Sequence, residues 1–243
     1  GLSVSLRPFA CSQLFLGPFI GLVSRAVLDP RFCVATNTRD MHEVNMPDDH
    51  RGLNSMFRDK ALGSTVPVTP VETAVFDSWL KKEPAEIRAW VKSAGFKARA
   101  GQISLVAGKG GKLARVLVGV RDHDGFWDYA SLPTALPEGS YRIDARMGAA
   151  GATAAATGWA LGGYRFERYK SAKGKKLPTL VWPARADKAR VKAMADSISL
   201  VRDLINTPAE DMGPSQLAAA ARSLGRGFKA NVKVIIGDAL LKQ

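Results

Sequence analysis

Apolar positions in the last quarter of the chain predict two helices joined by a short corner. From Asp187 onward, apolar side chains recur every three or four residues, as on one face of an α-helix; they are Val191, Met194, Ile198, Val201 and Ile205. Pro208 lacks an amide hydrogen and disfavours the helical conformation of the preceding residue, so this helix is expected to end near Asn206. A second helix is expected from Pro214 to Gly225, because proline suits the first helical position and glycine the end.

Earlier in the chain, short β-rich runs alternate with helical patterns. A first helix is predicted from Val71 to Lys82 after an extended approach, and Ile87 to Phe96 is interpreted as a strand. The runs "GQISLVAG" and "LARVLVGV" flank "KGGK" and predict a β-hairpin. Further strands are predicted at Tyr141–Ile143, in "LPTLVW" and at Asn231–Ile236. This alternation favours an α/β architecture.

The segment from Ala149 to Lys170 is rich in alanine and glycine. Gly158, Gly162 and Gly163 each cost about 1 kcal/mol relative to alanine in a helix, so a flexible linker is an alternative. We favour a helix, because Trp159 and the later aromatic residues need burial and glycines permit close packing.

The first 60 residues show neither a helical nor an alternating period, and we expect a disordered or non-native leader. The apolar run from Pro8 to Ala26 is interrupted by proline and glycine and is too short to span a membrane, although a secretory signal is an alternative. This segment contains His42 and His50, and a cluster of Asp48, Asp49 and His50 is a candidate metal site. The leader interpretation is preferred, because no rigid element holds these side chains.

Composition and charge restrict the class of protein. The 243 residues include 35 Lys and Arg against 22 Asp and Glu, a net charge of +13 that permits binding to nucleic acid or other acidic partners. Cys11 and Cys33 are the two cysteines, so neither a disulfide framework nor a cysteine metal site is expected. A reducing cytoplasm fits best.

Catalytic signatures are absent from the sequence. It contains no H-E-x-x-H, G-x-S-x-G, paired C-x-x-C, Walker or G-x-G-x-x-G pattern, so no catalytic or metal-binding residue is predicted. The stretch "GKGGK" from Gly108 to Lys112 lacks the Walker spacing and is interpreted as a turn. His123, between two aspartates, is interpreted as a solvated turn residue rather than a general base.

A basic segment interleaved with aromatic residues is a candidate anion-binding patch. Such a segment can neutralise phosphates while its rings stack on bases. The alternative is that Phe166 and Tyr169 face the core while the cations are solvated near a helix end. The basic segment comprises Arg165, Arg168, Lys170, Lys173, Lys175 and Lys176.

The stretch "SLVRDLINTPAEDMGPSQLAAAA" resembles the segment that opens the catalytic domain of the leucyl (cytosol) aminopeptidase family, whose pattern is roughly R-D-L-x-N-x-P-x-[NE]-x-x-x-P. "TGWALGGYRFERYK" and "GFKARAGQISLVAG" through "YRID" are similar to parts of that family's amino-terminal domain. The resemblance covers roughly residues 61 to 243. The residues in register include Arg202, Asp203, Asn206, Pro208, Glu210 and Pro214.

The resemblance implies a macro-like α/β domain over residues 61–186, a connecting helix over 187–206 and the start of a catalytic domain over 207–243. It also implies a hydrolase that acts on peptides with two divalent metals, manganese or zinc, as a homo-hexamer away from the membrane. In that family the motif residues above have a structural role. A nucleotide-type ligand for the macro-like domain is a further alternative, by fold analogy alone.

The motifs that carry the family's metal ligands, G-K-G-x-x-F-D-[ST]-G-G and N-T-D-A-E-G-R, do not occur in this sequence. We therefore expect a truncated amino-terminal fragment that is inactive alone and binds no metal pair.

Overall fold

The structure is a computed structural model that describes residues 2–3, 55–61, 63–122, 125–169 and 176–242. The chain divides into two compact units, residues 48–203 and residues 1–47 together with 204–243. The candidate metal site at residues 48–50 and His123 lie outside the described residues. Most of the predicted leader lies outside them as well.

The larger unit is built on a mixed six-stranded sheet. Its strands are β2 (Phe57–Arg58), β3 (Val66–Glu72), β4 (Ile103–Ala107), β5 (Leu113–Val120), β6 (Ser140–Ile143) and β7 (Thr179–Val181). Across the sheet their order is β2-β7-β6-β3-β5-β4. Strand β4 is antiparallel to β5, and the other neighbours are parallel.

Helices connect and cover these strands. The α-helices are α1 (Phe76–Lys82), α2 (Ala85–Ser93), α3 (Leu132–Ala135), α4 (Ala149–Gly162), α5 (Lys188–Asn206) and α6 (Pro214–Gly227). The 3₁₀ helices span Thr73–Val75, Lys109–Gly111, Phe126–Tyr129 and Gly237–Lys242. The predicted α/β class, with a mixed sheet flanked by helices, is confirmed.

Strand β5 shows how the sheet supports two cores. Successive side chains of a strand point to opposite faces. Val116 and Val118 are buried in one cluster with Trp159 of α4. Leu117, between them, is buried in a second cluster that also contains Val91 of α2. The sheet is therefore covered by α4 on one face and by α2 on the other.

The predicted hairpin is confirmed, and its turn explains the "GKGGK" stretch. Strands β4 and β5 pair from Ile103↔Val118 to Ala107↔Leu113. Gly110 and Gly111 between them have φ of 69° and 72°, the left-handed region that glycine adopts without strain. The glycines serve the turn, as the sequence predicts.

Helix α4 forms despite its glycines because those glycines lie against neighbouring backbone. A Cβ at Gly158 would lie 2.0 Å from the carbonyl oxygen of Phe126, and one at Gly162 would lie 1.7 Å from that of Ala130. Only glycine permits this approach. The helix ends at Gly162 rather than Lys170, so the prediction is right in type but wrong in length.

The prediction of a strand at residues 87–96 is wrong, because residues 87–93 belong to helix α2 and the rest form the turn that ends it. Pro84 precedes the first turn, and Glu86 and Lys92 suit the two ends of the helix dipole. At the end, Gly95 N–H bonds to the carbonyl of Lys92 and Phe96 N–H to that of Val91, which is a Schellman motif. Gly95, at φ 60°, is the sequence signal that the strand prediction overlooked.

Two boundaries near the start of the larger unit differ from prediction. Val71 belongs to strand β3, and the helix assigned to residues 71–82 begins as α1 only at Phe76. Strand β2 at Phe57–Arg58 pairs with β7, and Met56 is buried in the core. The fold therefore begins before residue 60, where the leader was expected to end.

The second unit contains the corner between the two predicted helices. Helix α5 ends at Asn206, and Pro214 occupies the first turn of α6 behind Gly213, so both helix predictions are confirmed. The six-residue strand predicted at 231–236 is limited to β8 (Lys233–Val234), which pairs antiparallel with β1 (Leu2–Ser3). A two-stranded pairing gives a strand little support to extend.

No helix among the described residues is long and apolar enough to cross a membrane.

The Gly162→Ala substitution should destabilise the protein by about 1–3 kcal/mol, because the new methyl group overpacks the contact with Ala130. Thermal unfolding followed by circular dichroism measures the effect. Gly227→Ala, at the end of α6 with nothing within 4 Å, controls for helix propensity and should be near neutral. Equal melting temperatures for the two variants would contradict the packing account.

Burial raises the pKa of the Tyr141 phenol from 10.0 to about 12. Between those values the folded state holds a proton that the unfolded state has lost, so the free energy of unfolding should fall as pH rises from about 10 to about 12. Tyr141→Phe should remove this contribution. Urea unfolding of both proteins across this range measures it, and parallel pH profiles would show that Tyr141 titrates normally.

Candidate functional site: the helix junction

The carboxyl-terminal half of α5 is attached to the end of α4 through Arg202. The Nη1 of Arg202 donates a 2.8 Å hydrogen bond to the carbonyl oxygen of Leu161. Leu161 lies in the last turn of α4, where carbonyls have no partner within the helix. The positive charge of a guanidinium there also interacts favourably with the negative end of the helix dipole. Arg202 therefore caps α4 from a neighbouring helix.

Tyr164, two residues beyond α4, contacts both Arg202 and Asp203. The guanidinium carbon of Arg202 lies 5.2 Å from the centre of the Tyr164 ring, within the range of a cation–π interaction. The Tyr164 hydroxyl donates a 2.7 Å hydrogen bond to Oδ1 of Asp203. Hydrogen bonds to a carboxylate are stronger than those between neutral groups. We call Leu161, Tyr164, Arg202 and Asp203 the junction cluster.

The predicted motif residues fall on both sides of the boundary between the units. Arg202 and Asp203 belong to residues 48–203, whereas the motif continues in residues 204–243. Asn206 is the last residue of α5 and Pro214 the first of α6. The exposed residues Pro208 and Glu210 lie between these helices, beside the buried Thr207. The motif thus forms the end of one helix, the corner and the start of the next.

Arg165 and Arg168 of the basic segment follow helix α4 in irregular structure. Arg168 lies over the ring of Tyr169 at 5.6 Å, and the rings of Tyr169 and Phe166 are 5.9 Å apart. Tyr169 is 53% exposed, so its predicted burial is wrong. Helix α4 ends too early to turn this ring toward the core.

The structure describes three residues of the basic segment. Arg165 and Arg168 are described, and Lys176 lies 3.8 Å from the carboxylate of Glu138 across an exposed ion pair. Such exposed pairs contribute little to stability. Lys170, Lys173 and Lys175 lie outside the described residues.

The described residues do not fit a metal centre. No group of three or more His, Cys, Asp or Glu side chains that could hold a metal ion occurs among them. The junction cluster combines a phenol, a guanidinium and a carboxylate: Tyr164 bonds to Asp203, and Arg202 bonds to the Leu161 carbonyl. We therefore derive no chemical step from this part of the chain.

Sequence reasoning missed Tyr164 as the partner of the Arg202–Asp203 pair. Tyr164 and Asp203 each lie in a stretch that resembles the family, but 39 positions separate them in the sequence. No local period links such distant segments. The usable signal was the presence of a polar aromatic directly after the glycines that end α4.

A comparison with sequence families finds that residues 66–183 match the M17 aminopeptidase N-terminal domain. Among curated relatives, the probable cytosol aminopeptidase of Rhodococcus jostii (strain RHA1) is 35% identical over 103 residues, which is 37% of this chain and 20% of the relative. That of Mycobacterium sp. (strain JLS) is 26% identical over 216 residues, 78% of this chain and 42% of the relative. The chain thus spans less than half the length of these relatives.

Solved structures agree with the sequence comparison. The crystal structure of the cytosol aminopeptidase from Coxiella burnetii matches with a TM-score of 0.66 and 34% identity, over 76% of this chain and 40% of that one. The bottromycin maturation enzyme BotP in complex with Mn matches with a TM-score of 0.54 and 26% identity, over 73% of this chain and 39% of that one. With a domain match, similar sequences and a shared fold, residues 66–183 of this chain are an M17, or leucyl, aminopeptidase N-terminal domain.

Proposed function

We propose that this chain is the amino-terminal part of a two-metal aminopeptidase that removes amino-terminal residues from peptides. The single observation that carries the proposal is the match to the Coxiella burnetii cytosol aminopeptidase, which extends over 76% of this chain at 34% identity. The part matched is only 40% of that protein, so most of the relative lies outside the comparison. In this proposal the chain contributes framework rather than chemistry.

The metals of the proposed enzyme would be bound elsewhere in the family's chain. The neighbouring enzyme BotP was solved in complex with Mn, which supports manganese, with zinc as the alternative. The two ligand-bearing motifs of the family do not occur among these 243 residues. When bound, a metal pair activates water and polarises the peptide carbonyl. We propose that this chain alone binds no such pair and is inactive.

The proposed domain organisation is that of the family. Strand β2 and the residues that follow it up to residue 186 form the macro-like domain, residues 187–206 the connecting helix and residues 207–243 the beginning of the catalytic domain. This division is supported by the two ends of helix α5 and by the start of helix α6. A homo-hexamer in the cytoplasm is the expected form, in keeping with relatives named cytosol aminopeptidases.

A nucleic-acid-binding function is the second candidate. The exposed ring of Tyr169, with Arg168 stacked over it and Arg165 nearby in sequence, supplies the cation and aromatic pair that single strands bind. The net charge of +13 would favour such binding at low salt. Binding of a nucleotide-type ligand by the macro-like domain rests on fold analogy alone.

The purified chain should show no hydrolysis of leucine anilides at saturating Mn²⁺ or Zn²⁺, and calorimetric titration should detect no tight binding of two metal ions, because the ligand motifs are absent. A mock preparation from cells that do not express the chain controls for contaminating peptidases. Metal-dependent turnover above that control would place catalytic ligands within these 243 residues and contradict the proposal.

The nucleic-acid alternative is tested by the salt dependence of binding to single-stranded DNA, measured by fluorescence anisotropy. We compare the pair Arg165→Ser/Arg168→Ser with Arg190→Ser/Lys192→Ser, which removes two exposed cations from α5. The aminopeptidase proposal predicts weak binding that falls equally in both variants, since only net charge matters. A selective loss with the first pair would favour the binding module.

A further inference from the structure

Helix α5 is anchored differently in its two halves. Its fully buried side chains are Val191 and Ala195, and Ile198 packs against the same core. Beyond these, Val201 is 44% exposed and Ile205 is 74% exposed. Complete apolar burial is therefore confined to the first half of the helix, and in its last two turns the apolar side chains of Leu200 and Leu204 are only half-buried.

Arg202 continues the buried face of α5. Residues at positions i, i+4, i+7 and i+11 of a helix share one side, and Val191, Ala195, Ile198 and Arg202 have this spacing. Where the next apolar anchor would stand, the chain places a cation that bonds to the Leu161 carbonyl at 2.8 Å. A polar anchor thus replaces an apolar one at the end of the larger unit.

We propose that the junction cluster is a latch, in which Tyr164 holds the last two turns of α5 on the end of α4. One side chain acts through two chemically different parts: its ring faces the Arg202 guanidinium, and its hydroxyl bonds to Asp203. Because Arg202 and Asp203 are consecutive, the phenol restricts both rotation and sliding of the helix. The proposed latch does not depend on the chain being part of an active peptidase.

The latch is a local conformational device. Directional polar contacts open without the loss of core packing, so residues 199–206 can detach while the sheet stays folded. An apolar anchor at position 202 would instead have tied these turns to the global stability of the unit. The latch therefore fixes the position of the last residues of the larger unit, which ends at Asp203.

Hydrogen exchange of the full chain, followed by mass spectrometry, tests the latch. Tyr164→Phe removes the hydroxyl and keeps the ring, and it should speed exchange of amides in residues 199–206 roughly tenfold. Tyr164→Leu removes both parts and should speed it further. Amides of β5 should keep their wild-type rates. Tyr169→Phe, which removes a hydroxyl from the exposed ring nearby, is the matched control and should leave residues 199–206 unchanged.

A double-mutant cycle isolates the bond itself. Asp203→Ala alone should speed the same amides, and adding it to Tyr164→Phe should give little further increase, because both changes break one interaction. Unchanged exchange in Tyr164→Phe, additive effects in the cycle, or an equal rise in β5 would each overturn the latch. If Tyr164→Phe fails to fold, the effect of Asp203→Ala confined to residues 199–206 supports the latch, and an effect spread over β5 refutes it.

Discussion

The close approach of helix α4 to the backbone of residues 126–130 organises the larger unit. At Gly158 and Gly162, one helical turn apart, no side chain separates the helix from the carbonyl oxygens of Phe126 and Ala130. This approach lets α4 pack closely enough for Trp159 to be fully buried beside Tyr141 of the sheet. Any larger residue at these positions would push the helix away from its neighbours.

The same contact positions the residues that come after α4. Because the helix is fixed at Gly162, its final carbonyls and Tyr164 have defined positions, and Arg202 and Asp203 of α5 can bind them. Tight apolar packing in one helix thus supports a polar attachment in the next. Helix α4 lies within residues 66–183, which match the M17 aminopeptidase N-terminal domain, and the residues described here contain no cluster of metal ligands.

Local signals in the sequence predicted the elements whose causes are local. The β-rich run of β5, the glycine turn after β4 and the proline at the start of α6 each depend on residues within a few positions. The prediction of a strand at residues 87–96 was wrong because it gave more weight to the β-branched and aromatic residues than to Gly95. The positive φ of Gly95 ends helix α2. The pairing of Tyr164 with Asp203 could not be predicted, since it depends on how distant helices pack.

The central claim is that α4 touches the 126–130 backbone directly through its glycines. Nuclear Overhauser spectroscopy of the isotope-labelled chain tests it by measuring proximity between glycine α-protons and their neighbours. The account predicts cross-peaks from Gly158 to the β-protons of Tyr129 and from Gly162 to the α-proton of Ala130, whose carbons lie beside the space a glycine leaves open. Helical shifts across residues 149–162 without either cross-peak would contradict it.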